Sequence, residues 1–143
     1  MPNNVVYWYG YAPSNYSTIN PTTDGSITNN TRDITIARNG NTNAETGIYY
    51  SARSMASFSS FKAIVDYYTG TGAGLTRNMI SGVGTSGGTY MTYTAQITKS
   101  ASYNGLITVD ISAVSASLSP AVTIANGGTG ASNNVKISAI WLE

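Results

Sequence analysis

The chain contains neither cysteine nor histidine. The first absence removes disulfides, thiolate metal ligands and thiol nucleophiles together. The second removes the commonest general base and a common metal ligand. Charge is also scarce. Seven Lys and Arg oppose six Asp and Glu, a formal +1, and charged residues are only 9% of the 143; an ordinary soluble domain carries about a quarter. The basic residues Arg32, Arg38, Arg53, Lys62, Arg77, Lys99 and Lys136 stand singly. Nothing therefore offers the clustered positive charge that binds a nucleic acid by releasing counterions. No apolar run approaches the roughly 18 residues of a membrane span. Met-Pro-Asn-Asn opens the chain with neither a basic nor an apolar leader segment. No nucleic-acid partner, membrane partner or secretory signal is expected.

What is present points one way. Hydrophobic residues reach 41%, enough for one proper core, and no linker or internal repeat divides the chain. One domain over residues 1–143 is expected. Thr, Ser, Asn and Gly replace the missing charges, and eleven Tyr outnumber two Phe and two Trp. β-Branched and aromatic residues suit strands, while Gly, Asn and Ser suit the turns between them. No stretch has the Ala/Leu/Glu/Lys mixture that favours helix. The prediction is all-β: an antiparallel sandwich of jelly-roll type with eight to nine short strands.

The segments follow from period-2 alternation. Val5–Tyr9 is the first strand, followed by a polar stretch from Pro13 to Arg32. Asp33–Ala37, Gly47–Ser51 and Phe61–Tyr68 come next, with Ser54–Ser60 holding at most one helical turn between the last two. Phe61, Ala63, Val65 and Tyr67 share one face of their strand. Glycine-rich loops are expected at 69–74 and 82–88, with Leu75–Ile80 between them. In Tyr90–Ile97, Met91, Tyr93, Ala95 and Ile97 share a face. Asn104-Gly105 reads as a tight turn before Leu106–Ile111. A short strand at Val122–Ile124 precedes the loop at 126–130. In the last strand, Val135–Leu142, the residues Val135, Ile137, Ala139 and Trp141 point one way. Terminal strands in jelly rolls often lie side by side.

Candidate chemistry is sparse. The carboxylates are Asp24, Asp33, Glu45, Asp66, Asp110 and Glu143. A glycosidase needs two of them facing each other across a sugar. Asp66 and Asp110 sit mid-strand, where the simpler reading is a solvated outer face. Asp24 is the best-placed Ca²⁺ ligand, but no loop has the dense acidic spacing of a dedicated site. The glycine loops lack the Lys-Ser/Thr ending of a phosphate cradle. No enzyme, catalytic residue, metal site or cofactor is expected.

The aromatics carry more. Tyr7, Tyr9 and Tyr11 fall opposite Trp8, and Tyr49-Tyr50 and Tyr67-Tyr68 likewise face both ways. Such rings cap a sandwich edge with the hydroxyl in water, fill a subunit interface, or form a flat platform for a sugar. As a platform, the candidates are Tyr9, Tyr11, Tyr16 and Tyr103.

Four segments resemble a known group. Val6-Tyr7-Trp8-Tyr9-Gly10 is similar to the first strand of β-sandwich domains at the C-terminal ends of phage and prophage tail, baseplate and head-fibre proteins. Ser57-Phe58-Ser59-Ser60-Phe61-Lys62-Ala63-Ile64-Val65 resembles their approach to a central strand. Tyr103 to Ser112 resembles their penultimate region, and Val135-Lys136-Ile137-Ser138-Ala139-Ile140-Trp141-Leu142-Glu143 resembles their ending. Asn126-Gly127-Gly128-Thr129-Gly130-Ala131 is similar to a glycine element of tail fibres. Many members of the group carry a longer N-terminal attachment region, whereas this sequence opens at the sandwich; a fragment of such a protein, or a stand-alone decoration or fibre component, is expected. The resemblance implies a jelly roll on a virion, a homo-oligomer with a trimer favoured, other virion proteins as partners, and a host-surface glycan as ligand. It transfers no binding residue. The alternative is a monomeric carbohydrate-binding module or a bacterial surface adhesin.

Overall fold

In a computed structural model, residues 5–7, 16–19, 25–39, 44–70, 78–126 and 132–143 are described, and no helix occurs among them. The strands are β1 (Val5–Tyr7), β2 (Ser17–Ile19), β3 (Gly25–Asn29), β4 (Ile34–Asn39), β5 (Ala44–Tyr49), β6 (Arg53–Ser54), β7 (Ser60–Gly70), β8 (Asn78–Ser86), β9 (Met91–Lys99), β10 (Tyr103–Asp110), β11 (Ser117–Asn126) and β12 (Ser132–Leu142). One sheet runs β10-β7-β12-β4-β3, with β1 beside the end of β12; the other runs β2-β5-β11-β8-β9, with β6 beside the start of β11. All pairings are antiparallel.

Within this order, β4-β12-β7-β10 and β5-β11-β8-β9 are the two four-stranded sheets of a jelly roll. Chain neighbours β4/β5, β7/β8, β9/β10 and β11/β12 each split between the sheets. The remaining strands extend or flank this frame. The expected meeting of end strands occurs as β1 against β12.

The core lies between the sheets. Ile34, Ile36, Phe61, Ala63, Val65, Val135 and Ile137 come from one, and Ile48, Tyr50, Met79, Val83, Val122 and Ile124 from the other. Alternation explains β4 and β10 well: Ile34 and Ile36 are buried, as are Ile107 and Val109, while Thr108 and Asp110 are exposed. Each fully buried aliphatic side chain contributes roughly 1.5–3 kcal/mol.

Several expectations need correction. The polar stretch from Pro13 to Arg32 contains β2 and β3, polar strands added outside the frame. Gly82 and Gly84 are strand residues of β8 rather than loop. A Cβ at Gly82 would strike the Ala95 carbonyl oxygen, and one at Gly84 the Thr92 carbonyl oxygen, so both mark a close approach of β9. Asn104-Gly105 lies inside β10, where Gly105 has φ 129° at a break in register with β7. The short strand at Val122 is ten residues long. It holds Pro120 in a central position. The Pro120 carbonyl accepts from Tyr50 N–H (2.9 Å), so the missing donor points to the same side, in the interval between β6 and β5. Ser54–Ser60 makes a turn closed by Phe58 N–H to the Met55 carbonyl.

The largest correction concerns β12. Its register against β7 shifts around Ile137 and Ser138. Ile137, Ile140 and Leu142 all join the core, whereas Ala139 and Trp141 do not. An irregularity of this kind reverses the face downstream of it. Trp141 therefore stands on the outer face opposite Lys62 and Val5, 8% exposed, with Nε1 donating to Glu143 Oε2 (3.3 Å).

Candidate functional site

A polar cluster that bridges distant strands lies on the outer face of the β2-β5-β11-β8-β9 sheet. Along β5, Ile48 and Tyr50 face the core, which turns Glu45, Gly47 and Tyr49 outward. On β11, Val122 and Ile124 face the core and place Ala121 and Thr123 outward beside them. Gly47 is obligatory there, because a Cβ would sit 2.6 Å from Thr123 Cα.

By register alone, β9 should bring little to this spot. Gly84 lies beside Ser119, and Met91 is further out beside Ser86, whereas Glu45 lies beside Ala125. Ser119 and Ala125 are six residues apart on β11, roughly 20 Å at about 3.3 Å per residue. Yet Met91 N–H donates to Glu45 Oε2 (3.4 Å), and Tyr93 OH is 2.8 Å from Thr123 Oγ1 and donates to the Ile80 carbonyl (3.2 Å). The register break between Val83 and Gly84 thus turns the tip of the β8–β9 hairpin back across the sheet. Met91 packs there with Ile19 and Ala121, flanked by Tyr49 and Tyr93, in a second apolar cluster. The expected single face of β9 is split: Ala95 and Ile97 serve the main core, Met91 and Tyr93 this one.

Burial raises the Glu45 carboxyl above its ordinary range, opposed by the Thr123 hydroxyl and the Met91 N–H. Burial likewise pushes the Tyr93 phenol up, with Glu45 adding to the rise. An acceptor held by a hydroxyl and a backbone donor is suited to latching the hairpin tip. Sequence reasoning missed it. Glu45, Met91 and Thr123 are far apart in the chain, and the hairpin's return depends on a bulge that no residue type announces.

The sequence-derived platform residues are not gathered. Tyr9 and Tyr11 lie outside the described residues. Tyr16 is half-buried and meets Tyr50 edge-to-face, with ring centroids 6.4 Å apart. Tyr103 is half-buried at the opposite end of the sandwich, its OH donating to the Leu106 carbonyl (2.8 Å) and the Lys99 ammonium 4.3 Å from its ring centroid. No known protein family and no curated protein sequence matches the chain.

The other carboxylates are dispersed. Asp24 lies outside the described residues. Asp33 accepts from Asn30 Nδ2 (2.8 Å) and sits 4.0 Å from the Lys136 ammonium. Asp66 accepts from Ser138 (2.8 Å). Asp110 accepts from the Ser112 hydroxyl and backbone, which hold it below its usual range. Glu143 pairs with Lys62 (2.9 Å) and is lowered chiefly by it, then by Trp141. Asp66 follows Val65, which pairs with Gly105, while Asp110 pairs with Ser60. The two are therefore roughly 17–20 Å apart along the strands, beyond the roughly 5–9.5 Å of glycosidase pairs. No group of three His, Cys, Asp or Glu able to hold a metal occurs among the described residues.

Proposed function

We propose that the chain is a non-catalytic structural component of a phage virion, at a fibre tip, tail, baseplate or capsid decoration, that contacts a host-surface glycan as a homotrimer. The supporting observation is where the phage-like segments fall. They are far apart in sequence, yet they contribute β1, β7, β10 and β12, which are neighbours in one sheet. Two of them interlock. Phe61 pairs with Leu142 and Lys62 with Trp141. Ser59 and Ser60 N–H groups donate to the Glu143 carbonyl (2.7 and 2.9 Å), and Lys62 meets the Glu143 side chain. The residues that carry the resemblance are thus neighbours in space, which is what supports the reading.

Light scattering and a glycan array test this reading. A three-copy particle that retains host-type saccharides supports it. A monomer binding a soluble glycan would indicate a carbohydrate-binding module instead. Polysaccharide cleavage that disappears with one carboxylate substitution would overturn the non-catalytic assignment.

A further inference from the structure

We propose that a neutral saccharide docks at one end of the sandwich, where the buried Asn133 amide takes a sugar hydroxyl beside Arg38 and Thr46. The space between the sheets changes character along its length. One end is closed by Phe61, Ile111, Leu118 and Leu142, all apolar. At the other end the core-facing positions turn polar. Asn133 precedes Val135 and Ile137 on the inner face of β12, and its cross-strand partner Arg38 continues the Ile34–Ile36 face of β4. Thr46, paired with core residue Ile124, looks inward from β5. All three side chains are 0% exposed. β3, β5, β8 and β12 begin at this end, and β4, β7 and β11 finish there. Binding residues gather where a rigid frame brings strand ends together.

Asn133 is the member that points to a ligand. Arg38 Nη1 donates to Thr46 Oγ1 (3.0 Å), which ties one sheet to the other. Neither Nδ2 nor Oδ1 of Asn133 has a hydrogen-bond partner among the described residues. A buried amide left unsatisfied destabilises the fold, and such groups in folded proteins call for a specific explanation. Ser81 also lacks a partner, but it lies mid-core between Met79 and Val83, away from the strand ends. The register leaves room beside Asn133. It sits between Arg38 on β4 and Gly70 on β7, and a glycine sets no side chain against that flank. Beyond Arg38 comes Gly25, where a Cβ would strike the Thr46 hydroxyl, so Thr46 is fixed close to β3.

The two unpaired atoms select the chemistry. One donates and the other accepts, side by side on a single planar amide. A hydroxyl group does both, and neighbouring hydroxyls of a sugar ring can meet both atoms at once. A carboxylate or phosphate would take the Nδ2 hydrogens but set its charge against Oδ1. An apolar group would satisfy neither. The inference rests on the glycan reading above and deepens it by assigning the residues and the neutral character of the sugar. A single enclosed water shares the same hydrogen-bonding chemistry, and the experiment separates the two.

The test is calorimetric titration of the full chain with glucose, galactose, N-acetylglucosamine and their disaccharides, with a thermal melt of each mixture. Wild type should bind a member of this panel and melt higher in its presence. Asn133→Leu should melt higher than wild type without sugar, because the unsatisfied amide is gone, and should bind about tenfold more weakly or worse. Asn133→Asp keeps the shape but replaces the donor with charge, and it should lose binding too. An Asn133→Leu or Asn133→Asp protein that binds sugar like wild type would overturn this site while leaving glycan attachment standing. A wild type that binds no saccharide, while Asn133→Leu still melts higher, would make the occupant an enclosed water only and overturn the proposal. Failure on the glycan array as well would remove the glycan reading with it.

Discussion

Ser81→Ala should make this protein more stable, against the usual direction of core substitutions. Ser81 lies on β8 between buried Met79 and Val83, with Val122 and Ile97 as its cross-strand neighbours. Its side chain is 0% exposed and its hydroxyl has no hydrogen-bond partner among the described residues. Burying an unpaired hydroxyl costs about 1–3 kcal/mol in proteins. Alanine removes that cost. The vacated space is about one oxygen atom, worth only a few tenths of a kcal/mol as a cavity, and alanine's weaker strand preference subtracts a similar amount. The net expectation is a gain of about 1 kcal/mol, or about 2–4 °C in Tm for a chain of this size. Urea titration at constant m-value measures it directly. Thr123→Val, a comparable deletion two strand positions from Ala121, supplies the contrast. Its hydroxyl is bonded to Tyr93 and Glu45, so the loss should be about 1–3 kcal/mol. A destabilised Ser81→Ala protein would refute the assignment of an unpaired core hydroxyl.

Three further outcomes follow from the geometry. Because burial raises Glu45 above its ordinary 4.5, the folded state holds that proton more tightly than the unfolded chain. Its contribution is complete below about pH 4.5 and is lost as pH rises through the raised value; Glu45→Gln should lack this decline, and parallel Tm–pH curves for the two proteins would count against it. Leu142→Ala should cost about 2–5 kcal/mol by opening a cavity, and Trp141→Ala should cost less than a core aromatic's roughly 3–5 kcal/mol because water can fill an outer-face site; equal losses for Trp141→Ala and Phe61→Ala by urea titration would place the tryptophan in the core after all. Gly47→Ala should lower stability by more than about 2 kcal/mol, since its Cβ would press on β11, and an unchanged midpoint would show that the two strands can separate there.

Alternation made the frame legible wherever pairing is regular. Ile34/Ile36 and Ile107/Val109 follow period two from end to end, so their faces could be read directly. The failures share a cause. At Ile137–Ala139 and at Val83–Gly84 the ladder slips, and every assignment beyond the slip changes face: Trp141 moves outward, and Met91 and Tyr93 leave the main core. β-Bulges depend on two strands meeting, which a single string of residues does not encode visibly. Glycine misled for a related reason. At Gly82 and Gly84 it serves a close approach between strands, yet it reads as flexibility. The Glu45 latch lies downstream of one such slip and was therefore hidden, while the platform tyrosines were chosen by residue type alone, and Tyr16 and Tyr103 ended at opposite ends of the sandwich.

The placement of β11 and β12 has a consequence for biosynthesis. Each lies in the middle of its sheet, bonded on both sides, yet they are the last two of these strands to leave the ribosome. Until they emerge, nothing bridges β4 to β7 or β5 to β8 by strand pairing, and each sheet lacks its central member. A nascent chain must wait with its apolar faces open, and its earliest complete fold comes only when translation has passed Leu142.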